Sequence, residues 1–366
     1  MSVTMESIAR EIGVTQPVVS AVLNNRSYCR VSSQKREAIL ALARKLNFRT
    51  NSAARRLRGK KTNTIAIFTG RNCSVLQNEI LRIMLGLLEI RDLHSYTIAI
   101  SDEQELNEKM LDMKALGVDA FIGFYLDFDL NSSGWALPGI CLGVQRRHPD
   151  IGANVFQGTE LLCRHLLEHG FRRIAFLCNT VEANIDKYTA IEKTLREAKK
   201  RSLYLKTLEF HHNPGIVDEI LAAVKKDKIE VFMASNDYIA ARLMNLLIHS
   251  GIRVPEQVAI TGFDGLSVGM MTPVSLTTAV QPSKQIAEQT VELLCARMEN
   301  REKERKILLP VKIRIGESCG CRIPFEPSFY WENMSPLLEE DEPTGKIHDT
   351  EIHNNKQKNQ EVENVF

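Results

Sequence analysis

No apolar run in this sequence approaches the ~20 residues that a membrane span needs, and no signal-peptide pattern precedes the first predicted helix. A cytoplasmic chain with no membrane partner is therefore expected. There is no glycine-rich loop to cradle a phosphate. No serine, cysteine or carboxylate stands in a readable nucleophile or acid–base constellation either. The enzyme class is set aside, and no catalytic residue, cofactor or metal is expected. The eight cysteines (Cys29, Cys73, Cys141, Cys163, Cys178, Cys295, Cys319, Cys321) follow no disulfide framework, so mostly reduced, buried thiols are expected. Cys319-Gly320-Cys321 is the exception, but two thiols make only half a zinc site. A leucine heptad is also missing, which argues against a coiled-coil tail.

What is present begins with charge. The net charge is only +2, yet residues 1–61 hold 13 of the 47 Lys/Arg and 3 of the 45 Asp/Glu, a local +10. The remainder keeps 34 basic and 42 acidic residues, or −8. A basic head on an acidic body suits phosphate binding by the head alone. At 366 residues and 44% hydrophobic, the chain can bury a sizeable core, and a head plus one or two body domains is expected.

The head reads as three short helices. Met5, Ile8, Ala9 and Ile12 form one apolar face behind a Thr4 cap, and Gly13 ends that helix. Thr15 is placed to cap a second helix with Pro17 in its first turn. Val18, Val19, Val22 and Leu23 would face inward, and Gln16, Pro17, Ser20 and Ala21 outward. Ser32 or Ser33 caps a third, Gln34 to Leu46, whose Ile39, Leu42, Ala43 and Leu46 close a small core. Two helices joined by a glycine turn are the helix-turn-helix pattern, which enters the DNA major groove by the N-terminal end of its second helix. The stretch Asn51 to Lys61 has good helix formers and one large apolar residue, Leu57, among arginines. It is marginal as an isolated helix but could fold on DNA, with Leu57 as a minor-groove wedge; a basic linker is the alternative.

From Thr64 onward strands alternate with helices: strands at 64–68, 96–100, 118–124, 139–142, 173–177, 204–208, 229–234, 258–263 and 305–314, with helices between them. Such alternation implies parallel sheets flanked by helices, with ligands at the carboxyl ends of the strands.

The run from Met5 through Val22-Leu23-Asn24, followed by Asn51-Ser52-Ala53-Ala54-Arg55-Arg56-Leu57, strongly resembles the LacI/GalR-type bacterial transcription regulators, and the resemblance continues to about Ser318. It implies a headpiece (1–50), a hinge helix (51–61), a two-lobed periplasmic-binding-protein-like body (62–318) and a C-terminal extension (319–366) outside the family pattern. The lobes would comprise 62–155 plus 284–318, and 156–283, with crossings near Phe156, Gln281 and Glu317. The implied partners are double-stranded operator DNA, a second copy of the chain and a small-molecule effector, carbohydrate-like in the sugar-binding members. Repression is the expected sign. By the same resemblance Thr15, Ser20 and Asn24 hold phosphates, Gln16 and Pro17 face bases, and Ala54 and Leu57 sit in the minor groove. Arg26, Asn51 and Arg58 join them on the DNA side. Ala21 stands where the family often carries a polar reader, so a guanine contact worth ~1–3 kcal/mol is absent.

In the body, Ala234-Ser235-Asn236-Asp237 and Ile260-Thr261-Gly262-Phe263-Asp264 are the most family-like segments. Asn236 and Asp264 would bind effector hydroxyls or amides; a helix cap and a turn residue are the local alternatives. Lys187 replaces an arginine of sugar-binding members and lacks its bidentate fork. Gly70, Gly143, Ala153 and Ala190 replace further family residues. These losses argue against an ordinary monosaccharide. His165 and His169 share a helix face but show no third ligand, and read as surface and packing residues. His211-His212 is placed near the mouth of the implied cleft, and Asp127-Phe128-Asp129 reads as a solvated loop. The competing reading, favoured by Ala21, is a solute-binding sensor with degenerate DNA recognition.

Overall fold

The computed structural model describes residues 4–23, 31–46, 48, 61–126, 128, 135–143, 149–198, 202–302 and 306–323. Asn24, Arg26, Asn51, Ala54, Leu57 and Arg58 lie outside the described residues, as do Asp127, Asp129 and everything after Ile323.

The headpiece has its own core. Helix α1 (Met5–Ile12) begins with a reciprocal cap: the Ser7 amide donates to Thr4 Oγ1 at 3.1 Å and the Thr4 amide to Ser7 Oγ at 3.0 Å. Gly13 closes it in the left-handed conformation. Helices α2 (Gln16–Leu23) and α3 (Ser33–Lys45) follow, the latter capped by Ser32. Ile8, Ala9, Val19, Val22, Ile39, Leu42 and Ala43 are buried together, and Val14 and Phe48 pack against them.

Two six-stranded sheets make up the rest. The chain divides into one unit of residues 1–154 plus 282–310 and a second of 155–281 plus 311–366. The first sheet contains β1 (Thr64–Gly70), β2 (His94–Ile100), β3 (Ala120–Phe124), β4 (Gly139–Leu142), β5 (Ile151–Ala153) and β11 (Ile307–Leu309), in the order β11-β5-β4-β3-β1-β2. Every pair is parallel. Ile65 to Phe68 are fully buried in succession, as strands covered on both faces require. Helices α4 (Val75–Ile90), α5 (Glu103–Leu116) and α10 (Ser283–Met298) belong to this unit. Buried Leu76, Ile80, Met84 and Leu88 recur every fourth residue on α4.

The second sheet has β6 (Arg173–Cys178), β7 (Tyr204–Glu209), β8 (Val231–Ala234), β9 (Ala259–Asp264), β10 (Thr277–Val280) and β12 (Lys312–Arg314), in the order β12-β10-β9-β8-β6-β7. Only β12 is antiparallel. Its helices are α6 (Val155–Glu168), α7 (Ile185–Glu197), α8 (Ile216–Lys225) and α9 (Asp237–His249).

The third crossing is at Pro310–Val311, not near Glu317, and the single strand expected over 305–314 is two strands in two sheets. Proline has no amide to donate to a ladder, so the strand breaks there and the chain changes sheet. Strands β5 and β10 were also unforeseen, being only three and four residues long.

Candidate functional site

Two surfaces hold the sequence-derived residues. On the headpiece, Thr15, Gln16 and Pro17 are exposed at the start of α2, and Ser20 is half-buried one turn on. The Thr15 carbonyl accepts from the Val18 amide at 3.0 Å and the Val19 amide at 3.2 Å, which opens the helix through its backbone. The first turn of α2 carries no acidic residue, so nothing there opposes an approaching phosphate. Ala21 departs from the outward placement expected of it, with only 7% exposure. A single methyl at the border of the inward stripe does not project past its neighbours. A base-reading role for Ala21 therefore has no reach behind it.

The second surface is the carboxyl edge of the second sheet. Chain order reverses between β6 and β8, which are adjacent, so the crevice beyond their ends is the favoured ligand position of an open α/β sheet. Lys187, in the first turn of α7, donates its ammonium to the Ser235 carbonyl just past β8. The same Nζ stands 4.0 Å from the Phe263 ring centroid, a cation–π distance. Burial pushes its pKa down, while the charges of Asp264 and Asp237 push the other way. One of three ammonium donors is thus committed to the protein.

Asn236 caps α9, its Oδ1 accepting from the Ile239 amide at 2.9 Å. Asp264 has φ +112°, a sparsely populated region for a residue with a side chain, and its Oδ1 accepts from Gln281 Nε2 at 2.8 Å. Strain of ~1–3 kcal/mol of this kind collects at ligand sites. The structure thus brings Lys187 and Asp264 to one edge with Asn236, although Asn236 also does the local capping work.

Sequence reasoning missed two residues here. Asp237 is fully buried, with Oδ1 2.5 Å from Thr278 Oγ1 and Oδ2 accepting from the Leu266 amide at 2.6 Å. Gly262 makes room for it: a Cβ there would lie 2.2 Å from Asp237 Oδ1. An aspartate in a helix's first turn reads as a dipole partner, and nothing in its local pattern signals burial. Arg71, directly after β1, holds Glu105 through Nη2 at 2.9 and 3.1 Å and Ser101 through Nε at 2.5 Å. The first sheet's carboxyl edge therefore carries an arginine–glutamate clamp beside Gly70.

Among the described residues, one group could hold a metal: His165, His169 and Cys321, whose ligand atoms lie within 4.8 Å of one another. The expectation of no metal came from reading the histidine pair and the cysteine pair separately. No described helix is long and apolar enough to cross a membrane.

Residues 4–51 match the family model for bacterial regulatory proteins of the lacI family, and residues 163–319 match that for a periplasmic binding protein-like domain. The ribose operon repressor of Halalkalibacterium halodurans is 25% identical over 335 residues, covering 86% of this chain and 96% of that protein. The transcriptional repressor PurR of Vibrio cholerae is 24% identical over 322 residues, covering 83% and 94%. The lac repressor dimer bound to operator and the anti-inducer ONPF shares the fold, with TM-score 0.74 at 19% identity over 87% of this chain and 99% of that one. Both matched segments, and relatives aligned over nearly their whole length, lead to one assignment: this chain belongs to the LacI/GalR family of bacterial transcriptional regulators, DNA-binding proteins with an effector-binding body rather than enzymes.

Proposed function

We propose that the protein acts in the bacterial cytoplasm, at the nucleoid, as a dimeric repressor that reads a palindromic operator and is released or recruited by a small molecule. The observation that carries this reading is the exposed Thr15-Gln16-Pro17 edge of α2 on a self-contained three-helix core, within a segment of local charge +10. Two headpieces reading in opposite directions require a second copy. Val217 on α8 and Tyr238 on α9 are each 44% exposed, and Val217 also lines an apolar pocket of 340 Å³ with Phe210, Ile216 and Leu246. That face suits coverage by a second subunit. Leu57 and Arg58 would act in the hinge, with Leu57 as the wedge between base steps.

Selection of bound sequences from a random duplex library, at fixed salt, tests the DNA side. The expected product is an inverted repeat with a deformable pyrimidine–purine step at its centre. Gln16→Ala should relax the preference at one position per half-site by ~1–3 kcal/mol while leaving salt dependence intact. Salt-sensitive binding without enrichment would instead favour the sensor reading, which the covered Ala21 methyl supports.

For the effector, Lys187, Asn236 and Asp264 form the proposed recognition set. An ammonium already on a carbonyl and an aromatic face cannot make the planar two-point grip of an arginine on paired hydroxyls. Calorimetry on the full chain should therefore show no micromolar binding of simple pentoses or hexoses. A micromolar isotherm with any of them would remove this argument.

A further inference from the structure

We propose that His165, His169 and Cys321, with Cys319 beside them, form a zinc site that pins the segment after β12 to helix α6. The histidines are four residues apart, and the His169 amide still donates to the His165 carbonyl at 3.1 Å. That last turn keeps both rings on one face, with centroids 4.5 Å apart. The cysteines arrive from the far end of the chain. A short 3-10 turn, Glu317–Cys319, ends at Gly320 with φ +90°, and this left-handed residue turns the backbone so that both sulfurs reach the histidine pair.

The donor atoms of His165, His169 and Cys321 lie within 4.8 Å of one another, close enough to share an ion. Tetrahedral zinc with Zn–S ~2.3 Å and Zn–N ~2.0–2.1 Å sets neighbouring N and S ligands ~3.6 Å apart. Cys319 Sγ is 3.4 Å from His165 Nε2, and Cys321 Sγ is 3.8 Å from His165 Nε2 and 3.3 Å from His169 Nε2. His165 Nε2 thus faces two sulfurs at once. One ring nitrogen has a single proton or a single lone pair, so it cannot serve both in linear hydrogen bonds. An ion between His165 Nε2, His169 Nε2 and Cys321 Sγ gives each of these three atoms a partner at once.

The donor set chooses the metal. Two imidazoles and two thiolates suit a soft, tetrahedral cation and not the oxygen-seeking magnesium or calcium. Cys319 is buried and its sulfur accepts from Thr277 Oγ1 at 3.0 Å, the kind of outer contact that orients a metal thiolate. Cys319, 3.4 Å from His165, is the fourth donor at hand, and with it bound the site would be closed and its role structural. The unit it reinforces is the second lobe, since α6, β10 and the cysteine turn all belong to it.

Cobalt titration of the reduced, chelator-stripped full chain tests the site, because tetrahedral sulfur-bound Co²⁺ has intense visible bands and a near-ultraviolet sulfur-to-metal band. About one equivalent should bind with both signatures, and Zn²⁺ should displace it. Cys321→Ser should remove much of the sulfur band and weaken binding at least ~10-fold. His169→Gln should weaken binding similarly while leaving both thiols in place. Both positions are at least partly exposed, so the fold should survive, as circular dichroism would verify. Absence of the bands in the reduced protein would overturn the proposal. So would bands unchanged in the Cys321→Ser/His169→Gln double variant, or a Cys319–Cys321 disulfide that persists in reducing buffer. Operator binding plays no part in this readout.

Discussion

Ile39→Ala is expected to weaken operator binding at least ~10-fold while leaving both lobes folded. Ile39 is fully buried in the headpiece cluster that also holds Ile8, Val19 and Val22. Removing a buried isoleucine to alanine costs ~2–5 kcal/mol, through lost transfer energy and the cavity left behind. A three-helix unit of this size has little stability in reserve, of order 3–5 kcal/mol. The substitution therefore brings the headpiece close to or past its midpoint of unfolding. Operator binding must then refold it, and each 1.4 kcal/mol so used lowers affinity tenfold. A loss of at least ~10-fold is expected, read by fluorescence anisotropy at fixed salt. Circular dichroism should show helix lost while the main thermal transition stays put. Undiminished affinity would mean that the orientation of α2 does not depend on this core. Gln16→Ala is the contrasting variant, since Gln16 is exposed and its loss should change specificity alone.

The headpiece was legible because its signals are local: Thr4 and Ser32 cap, Gly13 stops, and apolar residues recur at helical spacing. Alternation in the body likewise foretold parallel sheets, since strands covered on both faces are continuous apolar runs such as Ile65–Phe68. What local pattern could not carry was assembly. Strands β11 and β12 look like one run, and only Pro310 hints that they join different sheets. His165 and His169 sit 150 or more residues before Cys319 and Cys321, so no spacing rule links the two pairs. Ala21 fell on the border of a helical stripe, where a small side chain is covered or not according to its neighbours' lengths. Asn236 carries a cap that local reasoning allowed, together with a position at the sheet edge that only the fold supplies.

Asp237→Asn should stabilise the second lobe above neutral pH and flatten its pH dependence. Burial pushes the Asp237 carboxyl up from 3.8 to about 7, and the Asp264 charge adds to it. Hydrogen bonds from Thr278 and the Leu266 amide, and the charge of Arg314, act the other way without prevailing. Between those two values the folded lobe keeps a proton that the unfolded chain has released. The stabilisation from this group is complete below about pH 4 and is lost as pH rises through about 7. A shift of this size amounts to about 4 kcal/mol. Asparagine keeps the shape without the charge. Its carbonyl can accept from the Leu266 amide and its amide can donate to Thr278 Oγ1, whose own proton has the Ala279 carbonyl 3.5 Å away. Thermal melts of wild type and variant at pH 5 and pH 8 read the effect. The variant should gain several degrees at pH 8 and markedly fewer at pH 5, whereas Asp237→Ala, which leaves the Leu266 amide buried and unpaired, should lose stability at both. Destabilisation by asparagine at pH 8 would show that the lobe uses the carboxylate's charge. Lys187 gives that outcome a functional meaning, because its ammonium feels Asp237 as well as Asp264. A charged Asp237 would help hold Lys187 protonated at the sheet's edge, and effector affinity would then follow the same titration.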